Sequence, residues 1–222
     1  MTVTLREYDF PDRRLLTVDA VAGHLVWQPP EVSVILGVSN KLEEALHLDH
    51  ILSDQIPVYQ RPSGGEAVVL SPRMLVIAGV LFPVELPGVK KNFHLFNDRI
   101  IRALKSLGVR DLRHSGISDI AIGDRKILGS ALYHSRRRLF YHAVLNVSES
   151  TEVISRYLRH PQREPDYRRG RNHSTFVTSL AAEGYRSTNI DIKLALDREF
   201  TISAIVLKMN TGQKTPAELI AV

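Results

Sequence analysis

Residues 116–147 read GISDIAIGDRKILGSALYHSRRRLFYHAVLNV, and this stretch decides the fold. Runs rich in Ile, Val and Leu at 117–122, 126–132 and 139–147 have strand length and strand composition. Working outward from them, apolar runs at 67–70 and 74–82, with Pro72 between, predict a hairpin. Shorter strands are expected at 32–36 and 58–61. A helix is expected at 92–107, where Phe93, Phe96, Ile100, Ile101, Leu104 and Leu107 share a face and Gly108 supplies the stop. Leu15, Leu16, Val18, Val21 and Leu25 recur at roughly helical spacing and predict a helix near 12–26. Asn40, Ser150 and Ser174 are expected N-caps, the last for a helix ending near Gly184. A helix is expected at 191–200, with 201–207 either its continuation or a strand. Strand hairpins interspersed with helices predict an α+β fold: a mixed, mostly antiparallel sheet with flanking helices. No repeat divides the chain, and one domain over 1–222 is expected.

Composition narrows the function. The 222 residues are 44% hydrophobic and 24% charged, enough for a core and unlike a disordered or collagenous chain. There is no cysteine, which excludes disulfides, Cys-ligated zinc, iron–sulfur clusters and a thiol nucleophile. No apolar run approaches the roughly 18 residues of a membrane span. Residues 1–12 mix charges of both signs and are unlike a signal peptide, so a cytoplasmic protein is expected. Lys plus Arg is 29 against 24 acidic residues, a net +5. That mild excess argues against nucleic acid as a partner. It concentrates at Arg136, Arg137 and Arg138 and at Arg168, Arg169 and Arg171, which suit either solvated faces or docking of an acidic surface.

Three segments carry chemistry. In Arg61-Pro62-Ser63-Gly64-Gly65-Glu66-Ala67-Val68 a strand runs into paired glycines and resumes. Glycines let backbone N–H groups approach an anion or an apolar tail, and Arg61 adds a fixed charge; the same pattern also makes a plain turn. Asp119 lies on an otherwise apolar strand, and Lys126 opens the next one before Gly129-Ser130-Ala131. This pair suits a metal–phosphate site or a simple salt bridge. His142 sits in an apolar strand, where a hydrogen-bonded core residue is the default. The histidines lack zinc-site spacing, and no structural metal is expected.

Read in order, these segments resemble the lipoate–protein ligase family, within the biotin/lipoate ligase and octanoyltransferase superfamily. The resemblance runs over about 15–180. Residues 27–40 resemble its Trp-strand-Gly-x-x-Asn segment, and 61–68 its Arg-x-Ser-Gly-Gly-Gly-Ala-Val loop. Residues 116–120 resemble Gly-Arg-Asn-Asp-Leu, 125–131 the Lys-Ile-x-Gly-x-Ala signature, and 142–146 a His-x-x-Leu-Asn element. The sequence departs from the family at Glu66, which takes the place of the third glycine, and at Val69-Leu70-Ser71, which replaces x-His-Asp. The small accessory domain that many ligases carry or recruit as a separate subunit is not expected within 1–222.

The resemblance implies the class II synthetase-like fold of biotin and lipoate ligases. It implies ATP-dependent attachment of lipoate or octanoate, through an acyl-adenylate, to a lysine of a lipoyl domain. By carry-over, Lys126 is the catalytic residue. Arg61, Ser63, Gly64, Gly65, Ala67, Gly129, Ser130, Ala131 and His142 are expected to bind substrate. Asp119 and Lys126 are expected to meet nucleotide, with Asp119 as ligand to Mg2+. Two alternatives stay open: a lipoyl-domain-binding module without activity of its own, and cysteine-independent acyl transfer from a carrier protein.

Overall fold

The computed structural model describes residues 2–16, 22–81, 88–135 and 138–211. In chain order the strands are β1 (Leu5–Glu7), β2 (Ala22–Trp27), β3 (Ser33–Leu36), β4 (Val58–Gln60), β5 (Val68–Leu70), β6 (Met74–Leu81), β7 (Leu112–Ser115), β8 (Asp119–Ile122), β9 (Arg125–Ser135) and β10 (Arg138–Asn146). The helices are α1 (Leu42–Ala45), α2 (Leu48–Ser53), α3 (Val89–Ser106), α4 (Thr151–Tyr157), α5 (His173–Phe176) and α6 (Asn189–Thr211). A six-stranded sheet has the order β2-β6-β10-β9-β8-β7, every pairing antiparallel. A four-stranded sheet, β1-β4-β3-β5, is mixed: β1, β4 and β3 run parallel and β5 is antiparallel to β3. The expected α+β class, mostly antiparallel with flanking helices, is the one observed.

Both faces of the six-stranded sheet are covered, which is why its central strands read as continuous apolar runs. Leu75 and Ile77 on β6 and Tyr141, Ala143 and Leu145 on β10 pack with α3 and α6. The alternating residues, Val76 and Val144, turn toward Ile35 and Leu70 of the other sheet. Helix α3 comes close because Gly79 has no side chain; a Cβ there would lie 2.5 Å from the Phe96 ring. Phe96 stacks on Tyr141 at 4.4 Å. No helix among the described residues is long and apolar enough to cross a membrane.

Several local expectations are corrected. The helix expected near 12–26 is a 3-10 turn, Pro11–Leu16, followed by the edge strand β2; Val18 and Val21 lie outside the described residues. Val26 faces the helices while Leu25 and Trp27 face the other sheet, a two-residue period that the helical count overlooked. Strands β5 and β6 are not a hairpin. The turn through Pro72 carries the chain from one sheet to the other, where β5 pairs with β3 and β6 with β10 and β2. Asn40 caps no helix: its side chain accepts from the Gly37 N–H at 2.7 Å. Asn172, not Ser174, caps α5, accepting from Thr175 N–H. That helix stops early because Val177 bridges Lys126 on β9 and Thr178 N–H donates to the Lys126 carbonyl. Residues 201–211 continue α6.

Candidate active site

A cavity of about 1130 Å³ opens between the two sheets. Ile35, Val68 and Leu70 of the smaller sheet and Val76 and Val144 of the larger one give it an apolar interior. Lys126, Asp119, Gly129, Ser130 and Ala131 line one side, and Arg61, Gly65, Glu66 and Ala67 another. His142 also lines it, whereas Ser63 and Gly64 do not. Nine of the eleven expected site residues therefore meet around one space.

Lys126 stands on the cavity wall. Its ammonium donates to Asp119 Oδ1 at 2.9 Å, with the lysine side chain 28% exposed and the aspartate 6%. The side chain lies across Gly129: a Cβ there would sit 2.7 Å from both Cε and Nζ of Lys126. The space that Gly129 leaves is thus filled by the lysine itself. Asp119 Oδ2 accepts from the Tyr167 hydroxyl at 2.8 Å. Nothing in the sequence marks Tyr167. It arrives from the 160–173 loop, which lies over the cavity as part of its wall.

With both oxygens engaged, Asp119 makes a poor metal site in this arrangement. No group of three or more His, Cys, Asp or Glu side chains among the described residues could hold a metal ion. Asp119 is here the partner of Lys126.

Arg61 is turned inward. It is 4% exposed, and its guanidinium donates to Ser63 Oγ and to the carbonyls of Ile35, Gly64 and Glu66. Burial pushes it down to about 10, which leaves it charged at neutral pH. Its charge thus organises the loop from within rather than standing free for phosphate. A second device holds that loop. Val38 N–H donates to the Ser63 carbonyl, and a Cβ on Gly37 would lie 2.1 Å from the Gly65 carbonyl oxygen. The Gly-x-x-Asn turn at 37–40 is the seat of the glycine loop.

Ser63 Oγ and His142 Nε2 are 2.6 Å apart, and His142 Nδ1 lies 3.9 Å from Asp12. The order imitates a hydrolytic triad, but 3.9 Å is too long for a hydrogen bond and Ser63 is 1% exposed, off the cavity wall. Asp12 instead accepts from Tyr8. The group is a buried polar support for the Arg61 loop.

Burial, then the nearby Arg61 charge, pushes His142 down to about 3. The unfolded chain, whose histidines titrate near 6.5, therefore binds more protons than the fold between those values. Stability is expected to be whole above about pH 6.5 and to fall below it, by up to about 1.4 kcal/mol per pH unit for this site. His173, pushed down to about 4 by burial and the Arg168 charge, adds to the same slope. Urea unfolding between about pH 7 and pH 4 measures it. His142→Gln is expected to flatten the profile, and an unchanged slope in that variant would contradict the assignment.

The basic loop also differs from a solvated docking patch. Arg168 is buried against the Phe176 ring, 4.7 Å from its centroid, and Arg171 pairs with Asp124 at 2.9 Å. Of that trio Arg169 alone is exposed. Arg136 and Arg137 lie outside the described residues.

The model of the lipoyl protein ligase A/B catalytic domain matches residues 18–201. The chain belongs to this family. It is 33% identical over 137 residues to a lipoate-protein ligase A of Psychrobacter cryohalolentis, a match that covers 61% of this chain and 38% of that protein. The chain thus spans well under half the length of such relatives. The fold is that of the bi-partite lipoate protein ligase of Thermoplasma acidophilum, with TM-score 0.75, 20% identity and coverage of 92% of this chain and 84% of that one. A lipoate-protein ligase A bound with ATP overlays with TM-score 0.74 at 20% identity, over 92% of this chain and 86% of that one. This is the class II synthetase-like fold expected for the family.

Proposed function

We propose that this chain is one catalytic domain that attaches lipoate or octanoate to a lysine of a lipoyl domain, with ATP consumed through an acyl-adenylate. Family membership supports the reaction class, and the structural likeness to an ATP-bound ligase supports the nucleotide. The observation that carries the reading is Lys126. Its ammonium stands on the cavity wall, held by a buried carboxylate and floored by a glycine. Such a fixed donor suits the charge that builds on the α-phosphate during activation and on the acyl oxygen during transfer. The apolar interior between Ile35, Val68, Val76 and Val144 suits the acyl chain. A cytoplasmic location goes with this reading. So does a separate accessory subunit, which the bi-partite relative supports, its structure having been described together with its E2 lipoyl domain.

Intact mass of a lipoyl domain after incubation with the protein, with and without ATP and lipoate, tests this. A mass gain that requires both is expected. Modification from an acyl-carrier donor without ATP would instead establish cysteine-independent transfer. No modification with any donor, with or without an added accessory subunit, would leave a lipoyl-domain-binding module.

A further inference from the structure

Glu66 is the carboxylate that the reaction above leaves unused. It is half-buried on the glycine loop and lines the cavity. No described residue gives its carboxylate a hydrogen bond. The other acids of the cavity differ. Asp119 is held by Lys126 and Tyr167, Glu44 by Lys41 and Gln162, and Glu164 by His160 and the Gly170 N–H. Asp166 is exposed. The charges that face Glu66 are Arg163 and Arg168 from the 160–173 loop, Arg61 from its own loop and Lys126 from β9. Arg61 is spent on carbonyls and Lys126 on Asp119, so neither closes an ion pair with Glu66.

We infer that Glu66 is the general base for the acceptor lysine, taking a proton from its ε-ammonium inside the cavity. This rests on the acyl-adenylate reading. A lysine with its ordinary pKa of about 10.4 is uncharged in only roughly one molecule in 10³ at neutral pH, and only the uncharged amine attacks. Glu66 accepts one proton. The nitrogen lone pair then attacks the acyl carbon, the C–N bond forms, and the bond from that carbon to the adenylate oxygen breaks. AMP leaves with the electron pair, and the second nitrogen proton departs with its phosphate. A carboxylate on the same cavity wall as Lys126, with no hydrogen bond from any described residue, is placed for this. Burial raises its proton affinity above the usual carboxylate range, with the four cations opposing, which improves it as a base.

Preformed lipoyl-adenylate separates transfer from activation. With a lipoyl domain as acceptor, Glu66→Gln is expected to lower transfer by about 10² or more. With hydroxylamine, already uncharged at neutral pH, the loss should be far smaller. Transfer by the Gln variant should rise about tenfold per pH unit toward the lysine pKa, whereas the wild-type rate is flatter. Glu66→Asp, which keeps a carboxylate, should recover part of the rate. Equal loss with both nucleophiles, or a Gln variant with the wild-type pH profile, would overturn the role. If the wild type transfers from the adenylate with this Glu66 dependence but shows no lipoate-dependent pyrophosphate exchange, ATP-driven ligation fails and the base assignment stands.

Discussion

Lys126→Ala is expected to fold yet to lose acyl transfer by at least about 10², with a smaller effect on nucleotide binding. The ammonium is a cation on the cavity wall that a buried carboxylate fixes, whereas Arg61 is turned inward. Removing it leaves Asp119 buried with Tyr167 as its remaining strong donor. A stability loss of about 1–3 kcal/mol is therefore expected, more than an exposed salt bridge would give. Rates must be compared well below both melting temperatures. Gly129→Ala reaches the same atom from the other side. Its Cβ would meet Cε and Nζ, the mobile end of the lysine, so the ammonium moves while the strand stays. A displacement of this kind is expected to lower the rate by about 10-fold to 10²-fold with little change in melting. Near-normal turnover in Lys126→Ala would defeat the catalytic assignment.

Gly37→Ala carries the second large effect, and it acts on the scaffold. The new methyl would face the Gly65 carbonyl oxygen at 2.1 Å, a backbone atom that moves only if the loop moves. Overpacking of this sort costs about 1–3 kcal/mol or more. Chemical denaturation should show that loss, and activity should fall with it because Gly65, Glu66 and Ala67 line the cavity. Gly64→Ala is the contrast. Nothing lies within 4 Å of its Cβ position, so stability should change by less than about 0.5 kcal/mol. Similar denaturation midpoints for the two variants would show that the 37–40 turn does not seat the loop.

The glycines at 37, 64, 65 and 129 look alike as letters, each a place where a chain can come close. One is packed against backbone, one is open, one lies at φ +92° and one lies under a lysine tip. The residues that surround a glycine come from distant parts of the chain, and no local pattern carries them.

The sequence by itself determined the α+β class, helix α3 and the strands β8, β9 and β10, while its resemblance to the ligase family named nine of the residues that line the cavity. Periodicity reports which residues are buried, and glycine and proline report where the chain turns; both are local. Only the tertiary structure decided that β5 and β6 part into different sheets, since an apolar run records burial without naming the strand that covers it. It also decided that Arg61 faces its own loop and that Arg168 lies against Phe176. Above all it brought Tyr167 onto Asp119, 48 residues away, completing the clamp that sets Lys126. A hydroxyl on a polar loop has no signature until the fold supplies the carboxylate it bonds.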